Sequence, residues 1–175
     1  IFYNAETEAL HEAGLGRVSS HALAVTARAR SIAGRLGLSR EDQELAGMAG
    51  MLHDVGELVL ALNHLREPGP AEGGAPGLSW DRERSSFGAS HMEVGAYLLG
   101  LWGMHDTIVE VAACHHEPGR VREAGRPDVL TAVYLANRCV AAAESDYDGE
   151  TRAPLDCEYL ARIGAEGLAQ ELLAE

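Results

Sequence analysis

The apolar positions of this chain recur at helical spacing over long stretches, and the alternation of β-branched residues that marks a half-buried strand is almost absent. Alanine, leucine and glutamate, all strong helix formers, dominate those stretches. The pattern predicts an all-α fold, a compact bundle of about six to eight helices. A short first helix is expected over Ala5–Ala13. A longer one follows from about Ser19 to Leu36, with Leu23, Ile32 and Leu36 on one face and Gly37 as its stop.

Ser39, with Asp42 as a weaker form of the capping box, opens the next helix, which is expected to run through Leu45, Met48 and Leu52 to Leu62 with His53-Asp54 inside it. The prolines and glycines of residues 66–79 cannot sustain a helix and mark an exposed loop within a single domain spanning residues 1–175. Ser90 and Glu93 form a full capping box for a helix that ends at Gly103. Another helix begins near Asp106 and carries His115-His116 up to Pro118-Gly119. Pro127 suits the first turn of a helix reaching about Glu144, and two more segments, Pro154 to Ile163 and a final one to Leu173, complete the chain.

Composition narrows the partners. A chain of 175 residues buries roughly 70% of its unfolded surface, enough to fold without a staple. Its three cysteines form no CxxC pair, which suits a reducing, cytoplasmic setting. With 14 Lys and Arg against 27 Asp and Glu, a net charge of −13 argues against a duplex nucleic-acid surface, though a bound metal can still attract a small phosphorylated ligand. No apolar run approaches the roughly 20 residues of a membrane span, so no membrane partner is expected. The chain opens on Ile1 instead of Met and reads as a segment of a longer, multidomain polypeptide.

The distinctive feature is a set of dispersed histidines. His21, His53, His91 and His115 fall on different predicted helices, and helical bundles build metal sites by projecting one or two ligands inward from each of several helices. Imidazoles with a carboxylate suit iron, manganese, nickel or zinc and suit magnesium poorly. Asp54, beside His53, is the natural bridge between two ions or the anchor of one.

The stretch Met51-Leu52-His53-Asp54-Val55-Gly56 resembles the signature of the HD superfamily of metal-dependent phosphohydrolases, with His21 as its upstream histidine. The run from Phe87 through His91 to Leu99, then Leu101-Trp102-Gly103 and His115-His116-Glu117-Pro118, is most similar to HDOD domains, the HD-related output domains of bacterial signalling proteins. The resemblance covers roughly residues 17–145 and leaves the tail unassigned. It implies one ion at His21, His53, Asp54 and the position of Asn137, and a second at Asp54, His91 and His115 with His116 close by. A working site of this kind would polarise a phosphoryl oxygen and activate water.

The HD-GYP phosphodiesterases, which hydrolyse cyclic di-GMP, resemble the chain less. After His115-His116 the chain reads Glu-Pro-Gly-Arg-Val-Arg-Glu, Glu57 stands where a lysine is expected, and Asn137 where the last metal-binding aspartate is expected. An amide is a neutral, weaker ligand. With Asp54 as the one assured carboxylate, a single ion is expected in preference to a pair.

Ordinary roles are expected elsewhere. His11, His64 and His105 read as surface or capping residues, Trp80, Tyr97 and Trp102 as core or interdomain packing, and Gly95 and Gly100 as close helix contacts. Arg120, Arg122 and Arg126 form a loop cluster in which Arg120 and Arg122, with Glu57, are the candidates for contacting a substrate. Three functions follow: an HDOD-like regulatory output domain that works through other signalling domains or proteins, an active phosphohydrolase acting on a nucleotide or cyclic dinucleotide, or a domain that senses a nucleotide or second messenger without turnover.

Overall fold

The computed structural model describes residues 15–66, 80–121, 125–143 and 155–175. The expected helix over Ala5–Ala13 and the loop of residues 67–79 lie outside them. The described residues form nine α-helices and one 3-10 turn, without a strand. In chain order the helices are α1 (Leu15–Arg35), α2 (Arg40–Leu52), α3 (Val55–Arg66), α4 (Trp80–Phe87), α5 (His91–Leu101), α6 (Asp106–Cys114), α7 (Val129–Ala143), α8 (Cys157–Ile163) and α9 (Glu166–Ala174), with the 3-10 turn at Pro118–Arg120.

Helix α1 buries Val18, Ala22, Val25, Ala29, Ile32 and Ala33, the three-and-four spacing of a single helical stripe. Leu23 stands two residues from Val25, about 200° around the axis, and is 59% exposed, which corrects its expected place on the core face. Helix α1 packs on α2 and α7, and α2 in turn packs on α6 and α7. Helix α7 is the hub: every residue from Val129 to Asn137 is buried. Each fully buried leucine or isoleucine here contributes about 1.5–3 kcal/mol.

The tail packs on this hub. Tyr134 accepts the backbone N–H of Asp156 at 2.8 Å, and Tyr159 meets the Thr131 hydroxyl at 2.6 Å. Helix α9 is fastened to α1 at the surface by Arg35, which donates to Glu171 at 3.0 Å and to Glu175 at 2.6 Å.

Two departures from the sequence pattern shape the site. The helix expected from Ser39 to Leu62 is two helices, α2 and α3, interrupted at His53-Asp54. The Asp54 carbonyl accepts the backbone N–H of Glu57 at 2.9 Å at the start of α3. Residues Arg40–Leu62 are 23 in number and apolar enough to cross a membrane by composition, yet half of their apolar stretch is buried inside the protein. The second departure is α4, a short polar helix for which the sequence showed no apolar stripe.

The capping box of α5 forms as expected. The Ser90 hydroxyl accepts the backbone N–H of Glu93, and the Glu93 carboxylate accepts the backbone N–H of Ser90. Tyr97 and Trp102 are 71% and 62% exposed, so neither packs in the core as expected. Gly95 does lie against α3, its Cβ direction ending 3.2 Å from the Gly56 backbone nitrogen, while Gly100 faces open space.

Candidate metal centre

The interruption at His53-Asp54 carries the two residues to the meeting point of several helix ends. His91 is the first residue of α5, His115 follows the last residue of α6, Glu57 stands in the first turn of α3, and His21 and Asn137 come from the facing sides of α1 and α7. His21, His53, Asp54, Glu57, His91, His115 and Asn137 are all buried.

Asp54 sits between two groups of histidines. Its Oδ2 lies 2.9 Å from Nε2 of His53 and 3.8 Å from Nε2 of His21. Its Oδ1 lies 3.1 Å from Nε2 of His115 and 3.9 Å from Nε2 of His91. One carboxylate oxygen thus faces each pair. The donor atoms of Asp54, His91, His115 and His116 all lie within 4.8 Å of one another, and so do those of His21, His53 and Asp54.

Three of the imidazoles are anchored through the nitrogen that points away from Asp54. Nδ1 of His53 donates to the Gly50 carbonyl at 2.8 Å, and Nδ1 of His115 to the Ala112 carbonyl at 3.1 Å. Nδ1 of His91 donates to the Glu83 carboxylate at 2.8 Å. A neutral imidazole that donates through Nδ1 carries a lone pair on Nε2, and hydrogen bonds of this kind orient metal-binding histidines.

The chemistry of these atoms tests whether a cation fits. Nε2 of His53, His91 and His115, Oδ1 of Asp54 and Oε2 of Glu57 are all buried without a hydrogen-bond partner. His53 Nε2 is close to Asp54, but the approach lacks hydrogen-bond geometry. Each buried orphan costs about 1–3 kcal/mol, and all five atoms present lone pairs when the imidazoles are neutral. A divalent cation among them satisfies several at once.

Burial and the closely spaced charges shift these groups in different directions. Burial opposes charge on His53, but the adjoining Asp54 carboxylate outweighs it and the net direction is upward. Burial also opposes charge on Asp54, yet His53 and His115 hold it well below the usual carboxylate range. Burial, reinforced by Asp54, pushes Glu57 up to about 7. His91 rises to about 9 because its bond to Glu83 and the nearby carboxylates overcome burial. Burial drives His115 down to about 4, and burial together with His115 and His91 drives His116 well below its ordinary value.

The remaining candidates divide. Asn137 accepts from Nε2 of His21 at 2.9 Å, so the neutral amide stands beside the first group of donors. Arg120 is exposed and paired with Glu117 at 2.8 Å, while Arg122 lies outside the described residues. Arg126 lines a cavity of about 570 Å³ with Ser39, Asp42 and Thr107. His105 caps α6 as expected. His11 lies outside the described residues, and so does the side chain of His64.

Sequence reading missed Glu83. It is buried, and it accepts both the ring Nδ1–H and the backbone N–H of His91. Trp80 was read as packing, and its ring centroid lies 5.1 Å from that of His116, at 33°. The only signal was an acidic residue three positions after a tryptophan, in a stretch too polar to show a helical stripe. Glu57 and Glu83 add two carboxylates to the buried neighbourhood, so a charge count based on Asp54 alone understates its anionic character.

Residues 2–118 match the HDOD domain family, and the chain belongs to it. No curated protein matches the chain. A crystal structure of an HDOD domain protein with unknown function from Geobacter sulfurreducens is similar at 22% identity and a TM-score of 0.61, covering 90% of this chain and 56% of that one. The chain therefore spans little more than half the length of that relative. The HD domain of the L. monocytogenes phosphodiesterase PgpH is similar at 18% identity and a TM-score of 0.53, covering 97% of this chain and 84% of that one. Both share the all-α HD-domain fold.

Proposed function

We propose that this HDOD domain is a regulatory output module whose His/Asp centre holds one divalent transition ion, iron, manganese, nickel or zinc. Its ligands are Asp54, His91, His115 and His116. The module acts in the cytoplasm through contacts with other signalling domains or proteins, without turning over a substrate.

The observation that carries this reading is the asymmetry around Asp54. On one side four donors lie within reach of a single ion, the ligand number of a common tetrahedral site. On the other side three donors gather among the described residues, and the neighbouring side chain is an amide hydrogen-bonded to Nε2 of His21. A bound ion supplies positive charge and Lewis acidity; the chain supplies a dry pocket and orients the histidines through Gly50, Ala112 and Glu83.

The test is direct. Protein loaded with manganese or iron and then dialysed should retain about one ion per chain, bound within the Asp54–His91–His115–His116 group, and should leave cyclic dinucleotides and aryl phosphodiesters intact. The second reading, a metal-dependent phosphohydrolase, draws support from the unpartnered, buried Oε2 of Glu57 near Asp54, a group able to meet a polar ligand. Turnover that disappears in Asp54→Ala would establish it in place of the first.

A further inference from the structure

Helix α4 presents one working side to the metal centre. Trp80, Glu83 and Arg84 stand at positions i, i+3 and i+4, a shared helical face. Trp80 stacks beside His116 with ring centroids 5.1 Å apart. The Glu83 carboxylate accepts the backbone N–H of His91 at 2.7 Å and its ring Nδ1–H at 2.8 Å. Arg84 donates through Nε at 3.1 Å to Glu93, the residue that closes the capping box of α5.

Among the described residues the helix makes few other contacts between elements. Its principal packing is on α5, Glu83 is its one buried residue, and Asp81, Arg82, Ser85 and Ser86 are exposed. A helix of eight residues is too short to be stable by itself in water. The residue it buries is a carboxylate, and that carboxylate is spent entirely on His91.

We propose that α4 is a latch on the metal centre and that Glu83 is its positioning residue. By taking both N–H groups of His91, Glu83 fixes the start of α5, selects the ring tautomer whose Nε2 is free to bind, and strengthens Nε2 as a donor. Trp80 covers His116 in the same set. Seating of α4 therefore sets the affinity of the ion on the Asp54–His91–His115–His116 side, the side on which His91 stands. The inference rests on the metal-binding reading above.

Cobalt(II) titration followed by visible absorption tests it, because band position and intensity report the ligands around the ion. Glu83→Ala should weaken cobalt binding by ~10–100-fold, the usual effect of removing such a partner, and should alter the spectrum. Glu83→Gln keeps an acceptor without the charge and should recover part of the affinity with the parent band shape. Asp81→Ala, on the outer side of α4, should match the parent protein.

If the parent binds cobalt and Glu83→Gln and folded Glu83→Ala both bind it equally well, the latch is wrong and the metal site stands. Should Glu83→Ala fail to fold, Glu83→Gln decides: parent affinity with a parent spectrum overturns the proposal. A parent protein that takes up no cobalt overturns both this inference and the reading beneath it.

Discussion

Gly56 lies so close to His91 that a Cβ on the glycine would overlap the His91 carbonyl and come within 2.8 Å of the Gly95 backbone nitrogen. This contact seats the start of α3, and with it Asp54, against the start of α5. The separation between the Asp54 carboxylate and the His91 ring is thereby set by the absence of a side chain.

Gly56→Ala is accordingly expected to separate α3 from α5. Overpacking of this kind costs about 1–3 kcal/mol, and the displaced His91 should bind metal more weakly. Thermal melts and metal titration measure the two effects. Gly95→Ala, whose Cβ direction meets backbone at 3.2 Å, should show the same effects in smaller measure. Parent-like stability and affinity in Gly56→Ala would refute this account of the contact.

Asp54 faces both histidine groups, so Asp54→Ala should abolish metal retention altogether. In the parent, a saturating ion should raise the melting temperature, since a ligand at 100 times its dissociation constant adds about 2.7 kcal/mol of stability. A chelator should reverse that gain, and neither treatment should shift the melt of Asp54→Ala. Differential scanning fluorimetry with and without manganese makes the comparison.

Asn137→Asp supplies a carboxylate beside His21 where the chain has an amide. If the neutral amide is what limits that side, the variant should hold about two ions per chain in place of one, as counted by metal analysis after dialysis. An unchanged count would mean that something other than Asn137 restricts it.

Glu93 offers a test of the cap that seats the start of α5. Its bonds to the Ser90 backbone and to Arg84 lower its pKa from 4.5 to about 2. A carboxylate depressed on folding contributes stability that is complete above about pH 4.5 and is lost as the pH falls toward 2. Glu93→Gln should therefore be less stable than the parent at neutral pH, by up to ~1 kcal/mol for a half-exposed cap, and the difference should vanish near pH 2. Denaturant melts across that range would show it; a pH-independent difference would not fit.

Much of the architecture was legible in local pattern. The Ser90–Glu93 capping box, the glycine stop at Gly103 and the helical class follow from periodicity and capping, which act within a few residues. Local pattern misled where tertiary packing prevails. Leu23 is apolar but lies off the buried stripe, and Tyr97 and Trp102 are large and aromatic yet face outward.

The candidate site was likewise legible along the chain, because imidazole and carboxylate chemistry is carried by residue type: His21, His53-Asp54, His91 and His115-His116 stand as candidate ligands on separate predicted helices, and the fold gathers them. The family resemblance implied their division into two groups about Asp54, and the tertiary structure decided their distances and burial. The continuous helical pattern from Ser39 to Leu62 concealed the interruption that turns Asp54 between two groups of histidines. It took the fold to bring Glu83 onto His91 and Gly56 under the His91 carbonyl. These are contacts between segments far apart in sequence or joined through a turn, and their energies depend on burial and distance, which no local spacing encodes.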